Sequence, residues 1–192
     1  YSILINLKPD FNFDLNINQI SADDMFNNNC LNWLVREHIT DNQAQSVEMA
    51  IRQHGLDASV IRTQCFKISF DNKIISKEEL SDKLIKAGVC FNPNKAGIID
   101  KSEVFGLEDK NKKINNNNFK CNYIVTQNTD VLGERVFKES VYSWDIKGIN
   151  KVESSMVWSF VLDQDKSYKD KIILGFLTTL QDQIRYKVFI EN

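Results

Sequence analysis

The 192-residue chain is poor in the residues that most often announce chemistry: seven glycines, two prolines, four cysteines and two histidines. The glycines are scattered, so there is no Gly-rich phosphate loop, P-loop or G-x-S-x-G elbow, and H-E-x-x-H is absent as well. Cys30, Cys65, Cys90 and Cys121 include no C-x-x-C pair, a spacing wrong for a zinc finger or ribbon, and reduced, mostly buried thiols are expected. No apolar run approaches the roughly 18 residues of a membrane span, and Tyr1 opens no signal peptide. The expectation is a soluble, intracellular piece of a longer chain, without membrane contact and without a cofactor. A net charge of −2 provides no global attraction to phosphate, so contact with DNA would need a local basic face.

What is present is apolar content, 42% of residues, enough for a buried core. The most organised stretch is Ser76 to Leu107. Ser76 and Glu79 form a capping box, Leu80, Leu84 and Ile85 an apolar stripe, and Lys83 and Lys86 suit the last turn before a Gly88 stop. Val89 to Phe91 then reads as a short strand, Asn92 to Gly97 as a turn, and Glu103 to Leu107 as a strand returning antiparallel. This is the order of the third helix and wing of a winged-helix domain.

Upstream, residues 2–9 and 11–18 alternate like extended segments. Ser21 and Asp24 open a predicted helix carrying Met25, Phe26, Leu31, Leu34, Val35 and His38. Thr40 and Gln43 open another, with Ala44, Val47 and Ile51 on one face and Gly55 as its stop. Residues 55–62 resemble the turn and second helix of a helix-turn-helix, with a surface turn into a strand as the other reading; 65–70 alternates as a strand, part of an inserted ribbon. His38 and His54 each fall near a predicted helix C-terminus.

Glu108 to Asn118 is charged and apolar-poor, a linker. Beyond it, 119–125 reads as a strand, and Thr129 or Asp130 caps a helix with Leu132, Val136, Phe137, Val141 and Trp144 at helical spacing. Residues 156–162 fit both a strand and a helix; box-like starts at Asn150 and Ser167 favour helices over 150–162 and 168–180. Residues 184–190 alternate as a closing strand. Trp33, Trp144 and Trp158 lie in apolar patterns and are expected in the core rather than as base-stacking platforms.

The resulting fold class is α+β and helix-rich, with two tandem winged-helix-like domains: 1–109 with an N-terminal extended arm and inserted ribbon, a linker over 110–118, and a smaller unit over 119–192. The alternative is a helical N-terminal part followed by an antiparallel β part, with five strands over 119–190.

Two stretches resemble the C-terminal tandem winged-helix region of the Stn-type subunit of the CST telomere complex, a relative of replication protein A. One runs from Lys83 to Phe91 and on through Val104 to Lys110; the other is Ile173 to Gln183 with the aromatic strand after it. The resemblance implies a nuclear, telomeric, non-enzymatic protein-interaction module that helps recruit or stimulate DNA polymerase α–primase for C-strand synthesis. Its implied partners are other telomere-complex subunits, polymerase α–primase and telomerase, with weak DNA contact. Two other readings come from the residues themselves. Lys77, Lys83, Lys86 and the wing residue Lys95 could bind DNA directly, or a partner. Asp163 and Asp165, one residue apart, could hold a divalent metal for an enzyme.

Overall fold

The computed structural model describes residues 18–20, 26, 29–53, 57–105, 119–162 and 186–191. Its organising pair is two long strands, β3 (Ala58–Phe70) and β6 (Ile149–Leu162), antiparallel from Ala58 opposite Leu162 to Phe70 opposite Ile149. Both are rich in β-branched and aromatic residues, which pack well on a pleated surface. Around them lie β1 (Asn18–Ile20), β2 (Cys30–Glu37), β4 (Ala96–Ile99), β5 (Phe119–Gln127) and β7 (Tyr186–Glu191). The sheet order is β1-β7-β5-β6-β3-β2-β4. The run from β5 to β4 is antiparallel throughout, β7 lies antiparallel beside β5, and β1 is parallel to β7. The result is a mixed α/β fold in which strands from 1–109 and from 119–192 share one sheet.

Four helices accompany the described strands: α1 (Asn42–Gln53), α2 (Lys77–Ala87), α3 (Lys101–Phe105) and α4 (Val131–Lys138), the last continued by a π-helical turn at Glu139–Ser143. Side chains of a strand alternate between faces. Leu31, Trp33 and Val35 of β2, Phe66 and Ile68 of β3 and Val152 of β6 therefore meet Leu80 and Leu84 of α2 and Val136 of α4 in one core layer. Leu34, Cys65, Ile124 and Val157 point the other way, onto Val104 of α3. Phe66, Ile68, Leu80 and Val136 are completely buried. Each such side chain contributes about 1.5–3 kcal/mol through removal of apolar surface from water.

Three of the helices the caps pointed to are present, after Thr40, Ser76 and Asp130. Ser76 accepts a hydrogen bond from the Glu79 amide at 3.1 Å, and Gly88, at φ +65°, donates to the carbonyls of Leu84 and Ile85, so α2 begins and ends where the sequence places it. Asp130 caps α4. The helix expected after Thr40 is α1, but its cap is Asp41, whose carboxylate accepts from the amides of Gln43 and Ala44. The strand readings of 119–125 and 184–190 correspond to β5 and β7.

Several expectations are corrected. The predicted helix through Leu31, Leu34 and Val35 is the strand β2: its apolar residues satisfy both periodicities, and backbone pairing to β3 on one edge and β4 on the other decides for the extended form. The second helix of a helix-turn-helix at 57–62 is instead the start of β3, where the Val60 amide donates to Glu48 of α1. Residues 65–70 continue that strand and are not an inserted ribbon. Residues 89–91 are not a strand, because the chain turns there and the Asn92 side chain then accepts from the Asn94 amide. The strand of this segment is β4, which pairs with β2, while 101–105 is helical; a wing hairpin made of 89–91 and 103–107 is therefore not formed. Residues 150–162 are the strand β6 rather than a helix, since β3 pairs one edge of it along its length and β5 pairs the other edge over 156–162. The antiparallel alternative for the C-terminal part accounts for β5, β6 and β7. Residues 2–17, the 110–118 linker, His54, Asp163, Asp165 and the 168–180 helix lie outside the described residues.

Candidate functional site

On the face of the sheet that carries α2 and α4, β3 departs from its apolar series. The inward register runs Val60, Arg62, Gln64, Phe66, Ile68, and the two polar members face a cleft of about 490 Å3 instead of a helix. Val35, Val60, Phe66 and Met156 line its floor, Ala44 of α1 and Leu132 and Arg135 of α4 line its sides, and the turn from Cys90 to Lys95 closes another side. Its size is within the roughly 300–1,000 Å3 usual for ligand sites.

Arg62 is a partly buried charged group of the floor, and its position is fixed from three directions. Its Nε donates to Asp41 at 2.7 Å, another guanidinium nitrogen donates to Gln43, and its central carbon lies over the Trp158 ring, 5.2 Å from the ring centroid. The contact with Trp158 adds a cation–π attraction to the ion pair. Burial alone would raise the Asp41 carboxyl, but the bond and charge of Arg62 and the amides of Ala44 and Gln43 outweigh it and hold the carboxyl below its ordinary value. One carboxylate thus caps α1 and locks the cationic side chain of the floor.

The Cys90 thiol, at the edge of the cleft, is pushed up to about 12 by burial. Next to it Phe91 meets Trp33 edge to face, with centroids 5.8 Å apart. The turn is tied back to the sheet where the His38 amide donates to the Lys95 carbonyl at 2.8 Å. Ile39, which lines the mouth, is 60% exposed.

The four lysines singled out in the sequence separate. Lys95 lines the cleft. Lys77, Lys83 and Lys86 lie exposed on α2, which does not contribute to it. On that helix they are interleaved with Glu78, Glu79 and Asp82, and Lys83 is paired with Glu79 at 2.8 Å, so the helix presents a face of mixed charge. His38 follows a strand and not a helix, because the segment before it is β2. Trp33 and Trp158 are buried as expected; Trp144 is not, being 51% exposed just after the π-helical turn. Among the described residues, no group of three His, Cys, Asp or Glu side chains is placed to hold a metal.

Sequence reasoning missed Arg62, Arg135 and Asp41. The signal for Arg62 was available: a charge within the inward register of an otherwise apolar strand must either be paired or face a cavity, and here both hold. No family model, curated protein or solved structure matches the chain.

Proposed function

We propose that this chain is a non-enzymatic interaction module that docks part of a partner protein in the cleft between α1, α4 and the 90–95 turn. The observation that carries this reading is the state of the chemistry-bearing side chains there. Asp41 and Arg62 neutralise each other and are held by further bonds. Cys90 keeps its proton at neutral pH. A nucleophile or general base works when it is poised to exchange a proton near the working pH, whereas fixed charges beside an apolar floor suit recognition.

The resemblance to the Stn-type telomere subunit supplies the partners to try first: other telomere-complex subunits, telomerase and DNA polymerase α–primase, in the nucleus. It rests on residues 83–91, 104–110 and 173–183; of what those stretches imply, the end of the capped helix α2 at Gly88 is in support, while the strand at 89–91 and the wing are not. Direct DNA binding through Lys77, Lys83, Lys86 and Lys95 has less support, given the mixed charge of α2.

Affinity capture with the chain as bait, from nuclear extract of its source cell, tests the proposal. Wild type is expected to retain polymerase α–primase or telomere subunits. Ile39→Asp, at an exposed position where folding is little affected, is expected to lose them. Equal retention by the two proteins would remove the cleft from the interaction.

A further inference from the structure

Accepting the cleft as a docking site, we infer that its occupant is an acidic peptide segment of the partner, with large apolar side chains set beside Asp or Glu. The argument is charge complementarity. Four cationic side chains, Arg36, Arg62, Lys95 and Arg135, line the cleft against two carboxylates, Glu37 and Asp41. Arg62 is neutralised by Asp41, and Arg36 interacts with Glu103 of α3. Lys95 forms no ion pair among the described residues, and Arg135 pairs with Glu139 outside the lining only in an exposed contact at 3.9 Å, which water screens; within the lining Glu37 is the one carboxylate besides Asp41. A positive local balance at a concave site, in a chain whose net charge is −2, concentrates and orients an anionic partner.

The apolar part of the recognition follows from the floor and the mouth. The floor accepts an apolar side chain, and Ile39 carries apolar surface past the edge of the cavity, as suits a polypeptide that continues beyond its anchor. A nucleic acid fits less well, since its binding rests on neutralising a run of phosphates, and the apolar floor of Val35, Val60, Phe66 and Met156 offers nothing to a sugar–phosphate backbone.

The test uses fluorescently labelled synthetic peptides with two fixed Leu or Phe positions and Asp, Ser or Lys at the positions around them, read by anisotropy at low and moderate salt. Decanoate and a single-stranded oligonucleotide serve as competitors. Two variants accompany wild type: Lys95→Glu/Arg135→Glu, which inverts two cationic charges of the lining, and Leu132→Trp, which narrows the cleft. Wild type is expected to bind the Asp peptides about tenfold tighter than the Ser peptides, with the ratio falling as salt rises. The charge-inverted variant is expected to prefer the Lys peptides, and Leu132→Trp to weaken all of them. Equal binding of Asp and Ser peptides, both weakened by Leu132→Trp, overturns the acidic specificity and leaves docking in place. Binding that Leu132→Trp does not weaken, or binding of decanoate or oligonucleotide without any peptide, overturns both.

Discussion

Asp130 holds Ser154 twice: one carboxylate oxygen accepts from the Ser154 amide and the other from its hydroxyl, each at 2.5 Å. The oxygen on the hydroxyl also accepts from the Gly133 amide at 2.8 Å, so a single side chain caps α4 and fastens it to the middle of β6. This attachment sets where Leu132 and Arg135 stand relative to the floor of the cleft.

Asp130→Ala removes the cap and leaves the Ser154 amide without its acceptor. A lost cap costs about 0.5–2 kcal/mol, and a hydrogen bond to a charged group about 1.5–3 kcal/mol. The expected loss is about 2–4 kcal/mol in urea unfolding monitored by circular dichroism, with Asp130→Asn falling between the variant and wild type.

Gly133→Ala is expected to destabilise, although alanine in a helix interior normally gains about 1 kcal/mol over glycine. A Cβ at this position would meet the Val152 carbonyl oxygen at 2.7 Å as well as the Asp130 carboxylate. Pushing α4 away from β6 costs about 1–3 kcal/mol. A lower Tm for Gly133→Ala than for wild type in differential scanning calorimetry is the expected result, and an unchanged or higher one contradicts the close approach.

The pH dependence of stability carries a signature of Asp41. Its carboxyl is held below the unfolded value of about 3.9, so the stabilisation it provides is complete above that pH and is lost as the pH falls through the folded value. Asp41→Asn is expected to be less stable than wild type at pH 7 by about 1–3 kcal/mol. The difference should shrink on acidification below about pH 4 in parallel denaturant titrations. Arg62→Lys should reproduce much of the neutral-pH loss, because a single ammonium cannot reach Asp41 and Gln43 while also keeping its charge over the Trp158 ring.

The buried thiols give an alkaline counterpart. Burial pushes Cys65 up to about 11 and Cys90 up to about 12. For a thiol raised in the folded state, the stabilisation is present below the unfolded value of about 8.5 and declines as the pH rises through and beyond it. Site-resolved alkylation by iodoacetamide at pH 8 should leave both residues unmodified in the native protein and label both in urea. Rapid native labelling of Cys90 would mean that the edge of the cleft is more open than its burial indicates.

The helices with chemical punctuation were the legible part of this fold. Ser76 and Gly88 bracket α2 with groups that satisfy the backbone donors and carbonyls left over at a helix end, information contained within a dozen neighbouring residues. The strands β2 and β6 were illegible for the opposite reason: Leu31 to Val35 and Met156 to Val161 place apolar residues where either period accepts them, and what selects the extended form is a partner strand far away in the chain. The cleft was illegible on the same ground. Asp41 follows β2, Arg62 is in β3, Lys95 precedes β4, Arg135 is in α4 and Met156 in β6, and only the sheet order makes them neighbours.

That sheet order also bears on synthesis. β3 is translated with β2 available as one neighbour, but its other edge, from Ala58 to Phe70, waits until Ile149 to Leu162 have left the ribosome. While residues 71–148 are being made the chain therefore exposes a strand with unpaired backbone groups on one edge, a form prone to pair with another molecule. Separate expression of the two halves would make that exposure permanent.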